Sequence, residues 1–284
     1  MAEDGSPLLR LPAEIRLDIY HHLLLSDGAK TLAIRNRTQR DGSKPPNKLA
    51  PPFKMFGRTI PRRSTAETPY RLKTDVEIHS AIMCVNRQTH LEASELVYGK
   101  HCFDFGEDIE AVVPFLEDRT LEARRQISEI SVQLKPAKSY EGWNDDWMDL
   151  CRYLAEMGTL KKLRLVVQGG RPTGTWDGPK ELLVSDLRLL WRIKHDIMAW
   201  AGGLALLRGI PEVEIAPDVR YLAPPTTAAA LLYAALSASI NTSLVEFLRS
   251  DLKLQATAAE ETSCLCLRGW CGCGEDCRTV MIGW

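Results

Sequence analysis

The sequence predicts an α/β or α+β protein in which a helical N-terminal module packs on an irregular helix–strand array. A proline-started amphipathic stretch lies near the N-terminus at Leu11–Tyr20. From Asp75 onward, apolar residues at helical spacing alternate with short Val-, Ile- and Leu-rich runs that suit strands. The 284 residues are 45% hydrophobic and 26% charged, enough apolar material for a sizeable core. The chain divides into a helix within 1–28, a basic Pro-rich stretch at 29–74, an α/β region at 75–255 and a Cys-rich tail at 256–284.

Pro12 suits the first position of a helix because it has no N–H to satisfy, and Glu14 places negative charge where the helix dipole favours it. Ile15, Ile19 and Leu23 recur every four residues, and Leu17, Tyr20 and Leu24 form a neighbouring row, so the helix carries a broad apolar stripe. Leu11, Pro12, Ile15, Leu17, Ile19 and Tyr20 are therefore candidate partner-binding residues. Internal packing competes with that role. It would bury Ile15, Ile19 and Leu23 against the next helix and leave the Leu11-Pro12 turn and the Leu17, Tyr20 row outside. Ser26-Asp27-Gly28 ends the helix. Lys30–Lys73 then holds twelve Lys and Arg against two acids and reads as a mobile linker, because so charged a stretch buries too little apolar surface to offset ordering. After Asp75, the residues Ile78, Ile82, Val85, Thr89, Ala93 and Leu96-Val97 keep helical spacing up to Gly99, placed for a left-handed C-terminal cap. His101–Phe105 alternates like a strand.

Three blocks stand out: Leu11-Pro12-Ala13-Glu14-Ile15-Arg16 with Ile19-Tyr20; Val85-Asn86-Arg87-Gln88 with Glu92-Ala93; and Leu96-Val97-Tyr98-Gly99 with Phe103-Asp104-Phe105. In this order they resemble a fungal family of uncharacterised F-box-like proteins. The resemblance implies a helical F-box-like module followed by an α/β region. It also implies recruitment to a cullin-type ubiquitin ligase through a Skp-type adaptor, with an unidentified target as second partner.

Beyond Phe105 the pattern alternates: helix at Asp108–Leu116, strand at Ile127–Leu134, helix at Trp147–Met157, strand at Leu160–Val167, helix at Val184–Leu207, strand at Val213–Ala216. Helix, turn and strand repeat with uneven spacing. That grammar fits a leucine-rich-repeat-like array and equally an ordinary α/β sandwich. Thr226–Leu254, rich in Ala and Leu, reads as a helix or helix pair interrupted at Ser239-Ile240-Asn241.

The chain has no G-x-G-x-x-G, P-loop, nucleophile elbow or H-E-x-x-H, so a non-enzymatic role is expected. Gly169-Gly170 leads into Arg171-Pro172 and reads as a turn, and the six histidines are expected to be satisfied surface or core residues. Arg87 lies in an apolar helix and needs a carboxylate, so a structural ion pair of Arg87 with Glu92 is expected, with Glu14 and Asp18 as further partners across the two motifs. Cys264, Cys266, Cys271, Cys273 and Cys277 crowd the tail. Their thiolates suit either a structural Zn²⁺ site or a reactive Cys-rich segment. No apolar run reaches the length of a membrane span and residues 1–10 lack a secretory signal, which places the expected site of action inside the cell, nuclear or cytoplasmic. A protein-interaction module is the first functional expectation. The alternative is a nucleic-acid-associated factor that uses the basic stretch and a metal-bound tail, although the net charge of -1 disfavours a general polyanion binder.

Overall fold

Alternate residues of the central strands decide the architecture. The computed structural model describes residues 7–25, 31–36, 53–55, 58–60, 70–72, 78–135, 143–172, 181–222 and 225–259. Its strands are β1 (Thr31–Asn36), β2 (Phe53–Met55), β3 (Arg58–Ile60), β4 (Tyr70–Leu72), β5 (Cys102–Asp104), β6 (Glu129–Leu134), β7 (Lys162–Pro172), β8 (Glu212–Leu222) and β9 (Ala256–Ala258). Its α-helices are α1 (Ala13–Leu24), α2 (Arg87–Lys100), α3 (Val112–Glu117), α4 (Leu121–Gln126), α5 (Trp143–Met157), α6 (Val184–Arg192), α7 (Ala201–Leu204), α8 (Ala228–Ala238) and α9 (Ser243–Ser250).

Seven strands form one sheet in the order β4-β1-β5-β6-β7-β8-β9, while β2 and β3 pair separately as an antiparallel hairpin. Only β4 runs antiparallel to its neighbour; the other six are parallel and join in chain order. Leu32, Phe103, Ile130, Leu163, Val213 and Ala256 stand opposite one another across all six parallel strands, and each is buried. Burying each of the larger of these side chains is worth about 1.5–3 kcal/mol. On β7 and β8 their chain neighbours Lys162, Arg164, Glu212 and Glu214 point to the other face and stay half-exposed, while Cys102 and Ser131 on that face are buried. This period-2 split gives the sheet one clothed face and one polar face.

Helices cover the apolar side. In α5, Trp147, Leu150, Cys151 and Leu154 are buried at helical spacing, and the Trp147 indole N–H donates to the Trp200 carbonyl at 2.7 Å. Gly203 lets α7 approach this row: a Cβ there would lie 2.5 Å from Trp147 Nε1 and 2.8 Å from Cys151 Sγ. At Gly169 a Cβ would meet Ser237 Cβ at 2.9 Å, so the glycine admits α8 against β7, and Gly170 N–H donates to Ser237 Oγ at 2.8 Å. The Gly169-Gly170 pair is thus strand interior, where a turn was expected.

Other departures have local causes. The stretch expected to be a linker contributes β1, with Leu32 and Ile34 each 3% exposed, as well as β2, β3 and β4. Averaging charge over residues 29–74 hid the alternation of Thr-Leu-Ala-Ile-Arg-Asn. The helix expected from Asp75 to Gly99 is broken. A 3-10 turn at Ser80–Cys84 precedes α2, which starts afresh because Asn86 Oδ1 accepts from Thr89 N–H as an N-cap. Gly99 stays helical, and α2 ends in an extended His101. The helix expected at Val184–Leu207 stops at Arg192, where Lys194 takes a φ of 53° and a 3-10 turn follows. The interruption expected at Ser239-Ile240-Asn241 separates α8 from α9. The strand β9, placed in the expected tail, pairs with β8 and belongs to the α/β region. Among the described residues no single helix is long and apolar enough to cross a membrane.

Overpacking beside Trp147 predicts that Gly203→Ala lowers unfolding free energy by about 2 kcal/mol. Gly209, with nothing within 4 Å of a built Cβ, should tolerate alanine within about 0.5 kcal/mol. Urea denaturation of the two variants checks the contrast.

Candidate functional site

The first candidate surface begins with Pro12, which sits at the N-cap position with Ala13 as the first helical residue, so the proline lies one place before its expected position. Arg16, Tyr20 and Leu24 fall on one row of α1 and are buried. Arg16 can be buried because its charge is met. Its Nε and NH2 donate to Glu92 Oε2 and Oε1 at 3.1 and 2.6 Å, and NH1 donates to the Leu11 carbonyl at 2.7 Å. The Tyr20 hydroxyl donates to Glu92 Oε2 at 3.1 Å and Gln88 Nε2 to Oε1 at 2.9 Å. Four donors thus converge on one carboxylate. The Arg16 guanidinium, opposed by desolvation and aided by Gln88 and Tyr20, holds Glu92 at about 2 against an ordinary 4.5.

This corrects the expected pair. Glu92 is taken by Arg16, while Arg87 is exposed. Five residues along a helix turn a side chain through about 140°, so Arg87 and Glu92 point to different sides of α2. Tyr20, expected at a partner surface, is fully buried, whereas Ile15, expected against α2 in the packed alternative, is 46% exposed. Leu11 and Leu17 are 36% and 39% exposed, Pro12 is exposed, and Ile19 is half-buried. The bidentate ion pair and the tyrosine ring claim the inner face and turn the Leu11, Ile15, Ile19 row outward. Sequence reasoning considered Arg87 and missed Arg16. The available signal was a motif arginine on the same helix row as Tyr20 and Leu24.

The second surface is the polar sheet face. Across it, Cys102, Glu129, Lys162 and Glu212 form one rung, and Asp104, Ser131, Arg164, Glu214 and Thr257 the next. Lys162 Nζ lies 2.8 Å from Glu212 Oε1 and 2.5 Å from Glu214 Oε2, so both carboxylates raise its pKa. Arg164 Nε lies 3.2 Å from Glu214 Oε1, and Arg35 NH2 lies 2.7 Å from Asp104 Oδ2. Half-exposed charges of both signs arranged at strand spacing can read the charge pattern of a partner.

Among the described cysteines Cys84 is exposed, and Cys102 and Cys151 are buried. Burial pushes the thiols of Cys102 and Cys151 well up, which keeps them protonated. His90 and His101 use Nδ1 on the Met83 and Val97 carbonyls, and His195 Nδ1 accepts from Ile197 N–H. Cys264, Cys266, Cys271, Cys273 and Cys277 lie outside the described residues, as does most of the basic stretch at 29–74.

Fold and surfaces together define an α/β protein built on a chain-ordered parallel sheet with one apolar and one polar face. The chain belongs to a family described as a domain of unknown function, DUF7730, whose profile matches residues 1–195 and so spans both Arg16 and Glu92. No curated protein matches the chain, and no solved structure matches it.

Because Glu92 is depressed, its contribution to stability is fully present above 4.5 and is lost as pH falls through about 2. The melting temperature of the native chain should drop more steeply across that window than that of Glu92→Gln. At pH 7 the variant should melt about 3–6 °C lower. Thermal scans from pH 7 to 2 check both; parallel curves would contradict the role given to Glu92.

Proposed function

We propose that the protein is a non-enzymatic interaction module whose N-terminal helix docks a protein partner while the polar sheet face receives a target. The observation that carries this reading is the exposure of Leu11, just before α1, and of Ile15 and Leu17 on the two flanks of a helix whose inner row is locked by Arg16 and Glu92. Helices that only pack internally turn their aliphatic row inward. Here the inner row is held by a charge pair, and aliphatic side chains remain for another surface. The resemblance of the N-terminal motifs to F-box-like proteins gives the partner a concrete form: a Skp-type adaptor of a cullin-type ubiquitin ligase.

The topology supports the second half of the proposal. Doubly wound α/β enzymes bind ligands where strand order reverses, and the six parallel strands described here follow chain order. Chain-ordered helix–strand units are the plan of solenoid arrays, which present a strand face to partners. On that plan Glu129, Lys162, Arg164, Glu212 and Glu214 are the target-facing residues.

Co-purification from the native cell tests the adaptor reading. A Skp-type adaptor should accompany the native chain, and Ile15→Asp should reduce its recovery at least about tenfold, since a charge replaces a side chain at the centre of an apolar contact. The variant should melt within about 2 °C of the native chain, because Ile15 lies outside the core. Absence of any Skp-type adaptor from the native complex ends this reading.

A further inference from the structure

The helix α6 turns one side to the core and leaves the other without cover among the described residues. Leu187 is buried, Trp191 packs edge-on against Phe247 with ring centroids 6.5 Å apart, and Arg188 Nε lies 2.9 Å from both oxygens of Asp251. Two residues along a helix turn a side chain through about 200°, so Leu189 faces away from Leu187. Leu189 and Ile193, one turn apart, are each 59% exposed. Ser185, Asp186 and Arg192 share that outer side and are also exposed.

We propose that this side is a two-fold contact between two copies of the chain, with α6 of one antiparallel to α6 of the other. The order of charges carries it. Asp186 lies three residues before Leu189 and Arg192 three residues after, so the strip reads acid, leucine, base along the helix. In an antiparallel pair centred on Leu189, residues three before and three after stand at the same height. Each Asp186 then meets the partner's Arg192, Leu189 meets its own equivalent, and Ile193 lies over the small Ser185. The strip is complementary to itself turned end for end, and the match requires no feature of any other molecule. Both charges are available for it. Arg188 is committed to Asp251, whereas Arg192 makes no ion pair among the described residues. The Leu183 N–H donates to Asp186 Oδ2 at 3.0 Å, which holds the carboxylate at the first turn. A nine-residue helix covers less than the roughly 800 Å² per partner of a standard interface, so a dissociation constant on the order of 100 μM is expected.

Sedimentation of the full chain in reducing buffer, across a concentration series, tests the contact. The native chain should dimerise reversibly. Arg192→Asp and Asp186→Arg should each weaken self-association at least about tenfold, since like charges then face each other twice. Mixing the two variants should restore it: one carries two acids at these positions and the other two bases, so the mixed pair is complementary at both. The full chain with p-benzoylphenylalanine in place of Leu189 gives a second measurement that alters no charge. In a mixture of isotope-labelled and unlabelled chains, irradiation should join α6 of one copy to α6 of another. A native chain still monomeric at about 1 mM, a dimer indifferent to both substitutions, no gain on mixing variants that keep the native circular dichroism, or crosslinks that fall elsewhere would each overturn the proposal.

Discussion

One carboxylate decides which way the N-terminal helix faces. Glu92 on α2 gathers two bonds from Arg16 and one each from Tyr20 and Gln88, so α1 is oriented by directional bonds. A buried guanidinium tolerates few alternatives, because leaving it unpaired is strongly destabilising. Aliphatic packing is less demanding, and the Leu11, Ile15 row therefore yields the inner position. The candidate docking surface follows from a salt bridge on the adjoining row of the same helix, about 100° away from Ile15.

The sheet obeys a different constraint. Its apolar ladder from Leu32 to Ala256 needs cover on one face, and the helices between β5 and β9 contribute it. The same pleat pushes Lys162, Arg164, Glu212 and Glu214 to the other side, where they pair laterally between strands. Parallel sheets in α/β proteins are commonly clothed on both faces and read as continuous apolar runs. The alternation in Lys162-Leu163-Arg164-Leu165 departs from that rule, and among the described residues Lys162 and Arg164 stay half-exposed on the second face. Glycines set the fine spacing: Gly169 and Gly203 bring α8 and α7 to distances that any side chain would obstruct.

Most elements were legible because local signals suffice for them. The strands around Phe103, Val132, Leu165 and Ile215 and the helix around Trp147 carry their periodicity within a few residues. The break between α8 and α9 shows in Ser239-Ile240-Asn241. Elements were misread where a signal was diluted or overruled. Charge averaging concealed β1. Side-chain capping by Asn86 divided a stretch whose apolar spacing is continuous, and a left-handed Lys194 ended α6 without any glycine to announce it.

What the sequence by itself determined is the α/β alternation, the division of each strand into apolar and polar residues, and the identity of the two motif helices, all properties of neighbours along the chain. What only the tertiary structure decided is which residues meet across it. Arg16 and Glu92 lie 76 positions apart, so helix geometry can set Arg87 aside locally but cannot bring Arg16 to Glu92. The choice rests on the rotation of two helices against each other. That rotation selects Arg16 for burial and turns Ile15 outward.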